Sequence, residues 1–337
     1  MNILILGGTG VISTCIVDRL HEFSHHVTVM NRGISRARYK IKPEIINADK
    51  ENREQFQAAL KGRSFDGVID MISFKSEDAA ATLEVLENRG GHFVFTSSVA
   101  AYRRPVRKIP AAEANELCSD EKTFPYGYHK ARMETYLKSR MNEFPITVIR
   151  PSLTYGIGSK NVGVMRNNYG IVKRIRRHKP IVVFGDGTNP WAWTFAPDLA
   201  KAFAGVLMKP VCYGQFYNAT SDDCRVWDDL YTEFGRCVGE EPALVHISTE
   251  MLLKVSSDPF LNLAQEKMYA GIFDNSEIRS VVPEFVCDYS LEKIVRTLYE
   301  WYESDPEARV IDEARDLLED TVVERYGRCL ELMAGNQ

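Results

Sequence analysis

The chain has little that would take it out of the cell or into a membrane. Its seven cysteines, Cys15, Cys118, Cys212, Cys224, Cys237, Cys287 and Cys329, are odd in number, scattered, and never form a Cys-x-x-Cys pair. That pattern argues against a disulfide framework and a zinc site, and it leads to the expectation of reduced thiols in a cytoplasmic protein. The seven histidines lack His-Glu-x-x-His spacing, and His25 and His26 precede a strand instead of sharing a helix face, so no metal site is expected. No apolar run approaches the roughly 18 residues that span a bilayer. The apolar start, residues 1–6, is too short for a secretory signal and lacks its basic flank. The formal net charge of −4 is not the signature of a protein that binds nucleic acid or an anionic membrane surface. Internal repeats and low-complexity tracts are also missing.

Apolar residues are plentiful. They make up 45% of 337 residues, ample for a buried core, and the length suits two domains. Residues 3–6, 26–30, 45–48, 67–72, 92–96 and 146–149 read as strands. Helix-like stretches lie between them: one to about residue 20, then 53–60, 76–86 and 125–141. Alternation of this kind builds an α/β fold, a doubly wound parallel sheet of Rossmann type with helices on both faces. After residue 156 the regularity breaks. A basic helix (172–178), a strand (181–184), an aromatic stretch and two helices (291–302 and 311–333) suggest a smaller C-terminal substrate-binding domain. The expected division is 1–156 for the dinucleotide domain and 157–337 mainly for substrate, with chain crossovers between the lobes.

The segment Gly7-Gly8-Thr9-Gly10-Val11-Ile12-Ser13 follows the first strand directly. Gly7 permits a tight turn, and Gly10 lets the backbone approach a pyrophosphate. The helix that starts there directs its unpaired N–H groups and positive dipole end at the phosphates. Ser13 replaces the third glycine of the usual fingerprint and is small enough to keep helix and strand close. The second strand ends in Asn31-Arg32-Gly33, where an NAD-selective site normally carries a carboxylate. Asn31 removes that charge and Arg32 suits a 2′-phosphate, which favours NADP, with NAD as the alternative if Arg32 is only a surface residue. Asp49 ends the third strand, as an acceptor for the adenine amino group or as a turn residue.

Tyr126 and Lys130 are four residues apart at the start of the long helix and share one face. A phenol with a pKa near 10 is a poor acid–base catalyst at neutral pH. A nearby ammonium favours the phenolate, and Lys130 supplies one. Ser98, at the end of the fifth strand, offers a hydroxyl beside a reacting carbonyl.

Together, the glycine turn, Asp49, Ser98 and the Tyr126-x-x-x-Lys130 pair resemble the extended short-chain dehydrogenase/reductase family. Later motifs fit too: Thr96-Ser97-Ser98 running on to Tyr102, Arg150-Pro151-Ser152 leading to Tyr155-Gly156, Phe184-Gly185-Asp186-Gly187, and Asp198-Leu199-Ala200. The resemblance covers the chain to about residue 220. It implies Tyr126 as acid/base, Lys130 as its electrostatic partner and a contact to the nicotinamide ribose, and Ser98 orienting the substrate oxygen. Ser73, Pro151 and Ser152 would lie near the nicotinamide. Tyr102, Phe184 and Trp191 are nominated for substrate. The implied chemistry is hydride transfer between a sugar-like carbon and the nicotinamide.

Three departures narrow the choice. Val99-Ala100-Ala101 stands where dehydratases of the family carry Asp-Glu, so dehydration is disfavoured. Trp191 occupies the position of the arginine that usually holds a substrate diphosphate. Trp191 and Trp193 either stack on a ring or pack between lobes. The bulky run Asp70-Met71-Ile72-Ser73-Phe74 replaces small residues at the end of the fourth strand. These features are similar to an atypical branch with the same Asn-Arg-Gly strand end. The basic run Lys173, Arg174, Arg176, Arg177, His178 and Lys179 is read either as a diphosphate contact or as a solvated helix face. The expected partner is a small molecule, a nucleotide sugar handled by a 4-keto reductase or epimerase, with no nucleic acid or membrane; a homodimer is open. Reduction of a small non-sugar carbonyl and a non-catalytic RNA-binding relative of the fold are the alternatives.

Overall fold

A computed structural model describes residues 1–35 and 37–335. They form two compact units, each discontinuous in sequence. The first comprises Met1–Thr154, Thr194–Asp222 and Phe273–Asp288; the second comprises Tyr155–Trp193, Asp223–Ile272 and the chain from Tyr289 onward.

In the first unit the described residues build a seven-stranded parallel sheet. In chain order its elements are β1 (Asn2–Leu6), α1 (Val11–Glu22), β2 (His26–Asn31), β3 (Glu44–Asn47), α2 (Arg53–Ala59), β4 (Phe65–Asp70), α3 (Ser76–Leu86), β5 (Gly90–Thr96), α4 (Pro125–Arg140), β6 (Ile146–Pro151), α5 (Ala196–Val206) and β7 (Gln215–Ala219). The spatial order is β7-β6-β5-β4-β1-β2-β3. The chain reverses direction across the sheet between β1 and β4, paired from Ile3↔Gly67 to Leu6↔Asp70. Parallel strands buried on both faces read as unbroken apolar runs, and their side chains divide by parity. Ile3, Ile5, Ile69, Val94 and Ile149 point to the face covered by α1 and α5. Leu4, Leu6, Val68, Phe93, Phe95 and Val148 point to the face that holds Phe56, Leu83, Met133 and Leu137 from α2, α3 and α4.

The fourth strand ends two residues earlier than its apolar pattern suggests. The Asp70 carboxylate accepts the backbone N–H of Ile72 (3.0 Å) and of Ser73 (2.8 Å), folding the chain into a turn. By contrast, β6 runs on through Arg150 to Pro151, since β7 pairs with it as far as Ala219↔Pro151.

In the second unit, the strand Ile181–Phe184 pairs in parallel with Leu244–Ile247, and Pro190–Ala192 pairs antiparallel with Cys224–Val226. The C-terminal helix, Glu313–Ala334, buries carboxylates where an apolar stripe is the usual arrangement. Its buried positions are Asp316, Glu319 and Val322, while Leu317, Leu330 and Met333 are exposed. The carboxylates face a buried arginine, Arg174, on the helix Tyr169–Arg176. Among the described residues no helix is long and apolar enough to cross a membrane.

One buried group couples this fold to pH. His92 on β5 is fully buried; its Nδ1 accepts the Met208 N–H (3.1 Å). Thr147 donates its hydroxyl to the Cys212 carbonyl (2.6 Å), so Nε2–H of a neutral imidazole donates to Thr147 Oγ1 (2.9 Å). Burial holds its pKa down at about 4. The unfolded chain takes up the proton first as pH falls, so this contribution is complete above about 6.5 and lost towards pH 4. Denaturant titrations from pH 7 to 4 are expected to lose on the order of 3 kcal/mol from this group. A His92→Gln protein should lack that part of the slope.

Candidate active site

The glycine turn is dictated by space. Gly7 and Gly8 adopt φ of +107° and +79°, in the left-handed region. A Cβ on Gly8 would lie 2.2 Å from a methyl of Val29, and one on Gly7 2.7 Å from a methyl of Ile72. Tyr39 braces the turn, its hydroxyl donating to the Gly8 carbonyl (2.9 Å). Gly10 caps α1 with ordinary extended geometry. Its N–H is taken by Ser13 Oγ (2.9 Å), so Ser13 does more than fit: from the third helical position it satisfies the N-cap amide. The first-turn amides of Val11 and Ile12 precede the ladder of the helix and are the ones that would receive an anion.

Beside this turn lies a cleft of about 620 Å³ lined by Gly7, Thr9, Asn31, Arg32, Asp49, Ile72 and Phe74, among others. Asn31 Oδ1 accepts the Gly33 N–H (2.7 Å), shaping the strand end, while Arg32 is exposed at the rim. Asp49 Oδ1 accepts the Glu51 N–H (3.0 Å), which makes it a turn residue that still faces the cleft. The close-packed glycines, the helix terminus and the cleft fit a dinucleotide.

Next to the cleft, at the carboxyl ends of β4 and β5, stands the second group of residues. Lys130 is 6% exposed, and its ammonium donates to the carbonyls of Ser73 (2.8 Å) and Thr96 (2.8 Å). Burial pulls its pKa down to about 8, against the pull of Asp70 and Glu134. Tyr126, one turn earlier, is 45% exposed, with its ring stacked on Phe74 at 5.5 Å. Gly127 lets this end of α4 press on the strand end: a Cβ there would meet the Ala100 carbonyl at 2.4 Å. Ser98 is half-buried and accepts the Ala100 N–H (3.1 Å) in a short 3₁₀ turn. Pro151 is buried at the end of β6, and Ser152 Oγ lies 2.9 Å from Thr194 Oγ1.

The residues nominated for substrate have other occupations. Tyr102 is fully buried; its hydroxyl donates to Asn218 (2.7 Å) and accepts from Arg150 (2.8 Å), which forms a fork with Glu134 (2.9 and 2.6 Å). Trp191 is wholly buried against Gly271, with Lys267 Nζ over its ring at 4.2 Å. Phe184 and Trp193 pack edge-on against Trp227 at 5.0 and 5.3 Å. All four side chains are buried, and the contacts shown for the two tryptophans are packing within the second unit. The basic run is likewise committed. Arg174 pairs with Asp316 (2.9 Å), Glu319 (3.3 Å) and Asp320 (2.8 Å), Lys179 with Asp320 (2.6 Å), Lys173 with Glu313 (3.2 Å) and Arg176 with Glu303 (3.1 Å). Four of the six side chains of the run are therefore ion-paired, while Arg177 and His178 lie exposed, as a solvated face would have them.

Sequence reasoning missed Lys50 and Thr82, and named Phe74 only as part of a bulky run. Lys50 Nζ lies 2.6 Å from Asp70 and 2.5 Å from Ser73 Oγ. The available signal was Asp70 itself: a carboxylate ending an apolar strand needs a buried partner. Among the described residues no group of three or more His, Cys, Asp or Glu side chains is placed to hold a metal.

A parallel sheet with a glycine turn and a Tyr–Lys pair at its carboxyl edge defines a Rossmann-type α/β enzyme. The NAD dependent epimerase/dehydratase family matches residues 3–219, and the chain belongs to that family. It is similar to 2'-dehydrokanamycin reductase from Streptomyces kanamyceticus, 22% identical over 287 residues, 85% of this chain and 80% of that one. In fold it resembles UDP-glucose 4-epimerase from Thermotoga maritima, solved with UDP-glucose (TM-score 0.73, 19% identity, 90% of this chain and 99% of that one). It also resembles the Stenotrophomonas maltophila UDP-glucose-4-epimerase, solved with NAD and formylated UDP-arabinopyranose (TM-score 0.75, 17% identity, 91% and 99%).

Two glycine substitutions separate folding from binding. Gly8→Ala is expected to cost about 1–3 kcal/mol in thermal or denaturant unfolding, from strain and collision with Val29. Gly10→Ala meets nothing nearer than Ser13 Oγ at 3.5 Å and should keep the wild-type Tm. If the turn cradles a dinucleotide, the same substitution should also weaken NADPH and NADH binding about tenfold in fluorescence titration, because its methyl would stand where the fingerprint lets a phosphate approach.

Proposed function

We propose that the protein is a reductase that uses NADP(H) to reduce a ketone on a sugar or sugar-like substrate, with Tyr126 as proton donor, Lys130 as its electrostatic partner and Ser98 orienting the carbonyl oxygen. The observation that carries this reading is the fixed ammonium of Lys130. It is held by two backbone carbonyls one helical turn beyond the half-exposed Tyr126 phenol.

The dinucleotide would be held by Gly7, Thr9, Gly10, Val11 and Ile12 at its phosphates, with Asn31, Arg32 and Asp49 at the adenosine end. Ser73, Lys130, Pro151 and Ser152 would flank the nicotinamide. When bound, it supplies hydride to the carbonyl carbon. Tyr126 gives its proton to the carbonyl oxygen as negative charge develops there, and Lys130 stabilises the phenolate left behind. Arg32 at the cleft rim supports NADP(H), and so reduction over epimerisation. The reductase relative supports the same direction.

Trp191 stands where a diphosphate arginine would be, and four of the six side chains nominated for that contact, Lys173, Arg174, Arg176 and Lys179, are paired to acidic groups. This favours a ketone without a nucleotide diphosphate over a nucleotide sugar, and the assay panel should contain both.

Mass spectrometry of the freshly purified, denatured protein should find NADP(H), not NAD(H), as the carried dinucleotide. Tyr126→Phe should lower kcat by about 10²–10⁴-fold in a nicotinamide absorbance assay; full turnover would refute the role. Reduction by the wild type should slow as pH rises through about 8, where Lys130 loses its charge.

A further inference from the structure

We propose that residues 71–74, the turn after β4, position both members of the Tyr126–Lys130 couple, and that the buried Lys50–Asp70 pair holds this turn in place. The inference rests on the acid–base reading of Tyr126 and Lys130 and assigns roles to residues outside that couple.

The turn is anchored at both ends. At its entry, Asp70 is 1% exposed and uses both carboxylate oxygens. Oδ1 accepts the N–H groups of Ile72 (3.0 Å) and Ser73 (2.8 Å). Oδ2 accepts Lys50 Nζ (2.6 Å), Thr82 Oγ1 (2.6 Å) and Ser73 Oγ (2.7 Å). At its exit, Asp78 on α3 accepts the N–H groups of Phe74 (2.9 Å) and Lys75 (2.8 Å). Four residues are thus pinned between two carboxylates.

The consecutive residues of this turn meet the couple. The Ser73 carbonyl accepts the Lys130 ammonium, and the Phe74 ring lies on the Tyr126 ring at 28° and meets His129 edge-on at 5.3 Å. Lys130 and Tyr126 rest on adjacent backbone positions just as they sit one turn apart on α4. Long side chains lose their use if they wander, and an ångström of misplacement costs about 10²-fold in rate. A buried ion pair is weak evidence for stability, since a well-packed apolar pair often serves as well. Its value here is geometric: it fixes the direction of the turn. Burial pushes the Asp70 carboxyl up, and Lys50, Thr82 and Ser73 outweigh it, so the carboxylate stays charged.

The charged groups facing Lys130 are Asp70 from β4, Lys50 beyond β3, Asp78 from α3 and Glu134 from α4. Removing Lys50 and Asp70 together withdraws opposite influences on Lys130, so a change in the couple then reports geometry more than charge. The test is the ionisation midpoint of Tyr126 in the purified protein. It is read as the difference in tyrosinate absorbance between each protein and its Tyr126→Phe counterpart, with thermal unfolding as the check on folding.

Lys50→Met/Asp70→Leu, which is neutral and lacks acceptors for the turn, should raise the midpoint by about half a pH unit or more, towards that of a free tyrosine. Lys50→Met/Asp70→Asn keeps an amide oxygen for the Ile72 and Ser73 N–H groups and should return most of that shift. Phe74→Leu should raise the midpoint by itself. If the midpoint stays put in folded Lys50→Met/Asp70→Leu and Phe74→Leu proteins while Tyr126→Phe is inactive, the positioning role is overturned and the catalytic reading stands. Full activity in Tyr126→Phe would overturn both.

Discussion

Lys130 places a positive charge beneath the ends of two parallel strands, 6% exposed, and the neighbouring structure answers that cost. Two carbonyls, of Ser73 and Thr96, turn inward to accept its protons. Neither can do so unless β4 and β5 end where they do, and β4 ends at Asp70 because that carboxylate captures the next two usable amides. Gly127 then has to be a glycine, because α4 presses its first turn onto the Ala100 carbonyl to bring the lysine within reach. A cation held in this way has few rotamers to lose when ligands arrive, which is the preorganisation an electrostatic partner requires.

Buried charge recurs in both units, and each time it is matched. In the first unit Arg150 forks onto Glu134 and shares Tyr102 with Asn218, tying β6, α4 and β7 together through one polar network. In the second, Arg174 gathers Asp316, Glu319 and Asp320. Burial pushes Glu319 up to about 7, with Arg174 opposing. Such networks leave no polar atom free to choose another partner, so they select one arrangement of their elements even where apolar packing would be as stable.

The site combines rigid and open parts. The glycine turn is locked by Val29, Ile72 and Tyr39, whereas Tyr126 keeps nearly half its surface exposed. The proposed function asks an acid–base group to reach a ligand and a phosphate cradle to be formed before one binds, and the difference in exposure fits those two tasks.

Much of this was legible along the chain. The strand–helix alternation, the glycine turn after the first strand and the Tyr126-x-x-x-Lys130 spacing are local patterns, set by backbone periodicity and by the space a glycine leaves. They placed six of the seven strands of the sheet to within about two residues at each end and missed β7, which pairs with β6 from beyond the regular alternation. Side chains whose partners lie far away in sequence were not legible. Trp191 and Tyr102 carry the chemistry of ligand contacts, and only the fold buried them. Arg174 and its neighbours looked like a free basic face until Asp316, Glu319 and Asp320, about 140 residues later, came to meet them. Lys50, beyond β3, and Asp70, at the end of β4 and 20 residues later, follow the same rule. A sequence states which groups are present and which local shapes they allow; whether a charge is spent or available depends on what the folded chain brings beside it.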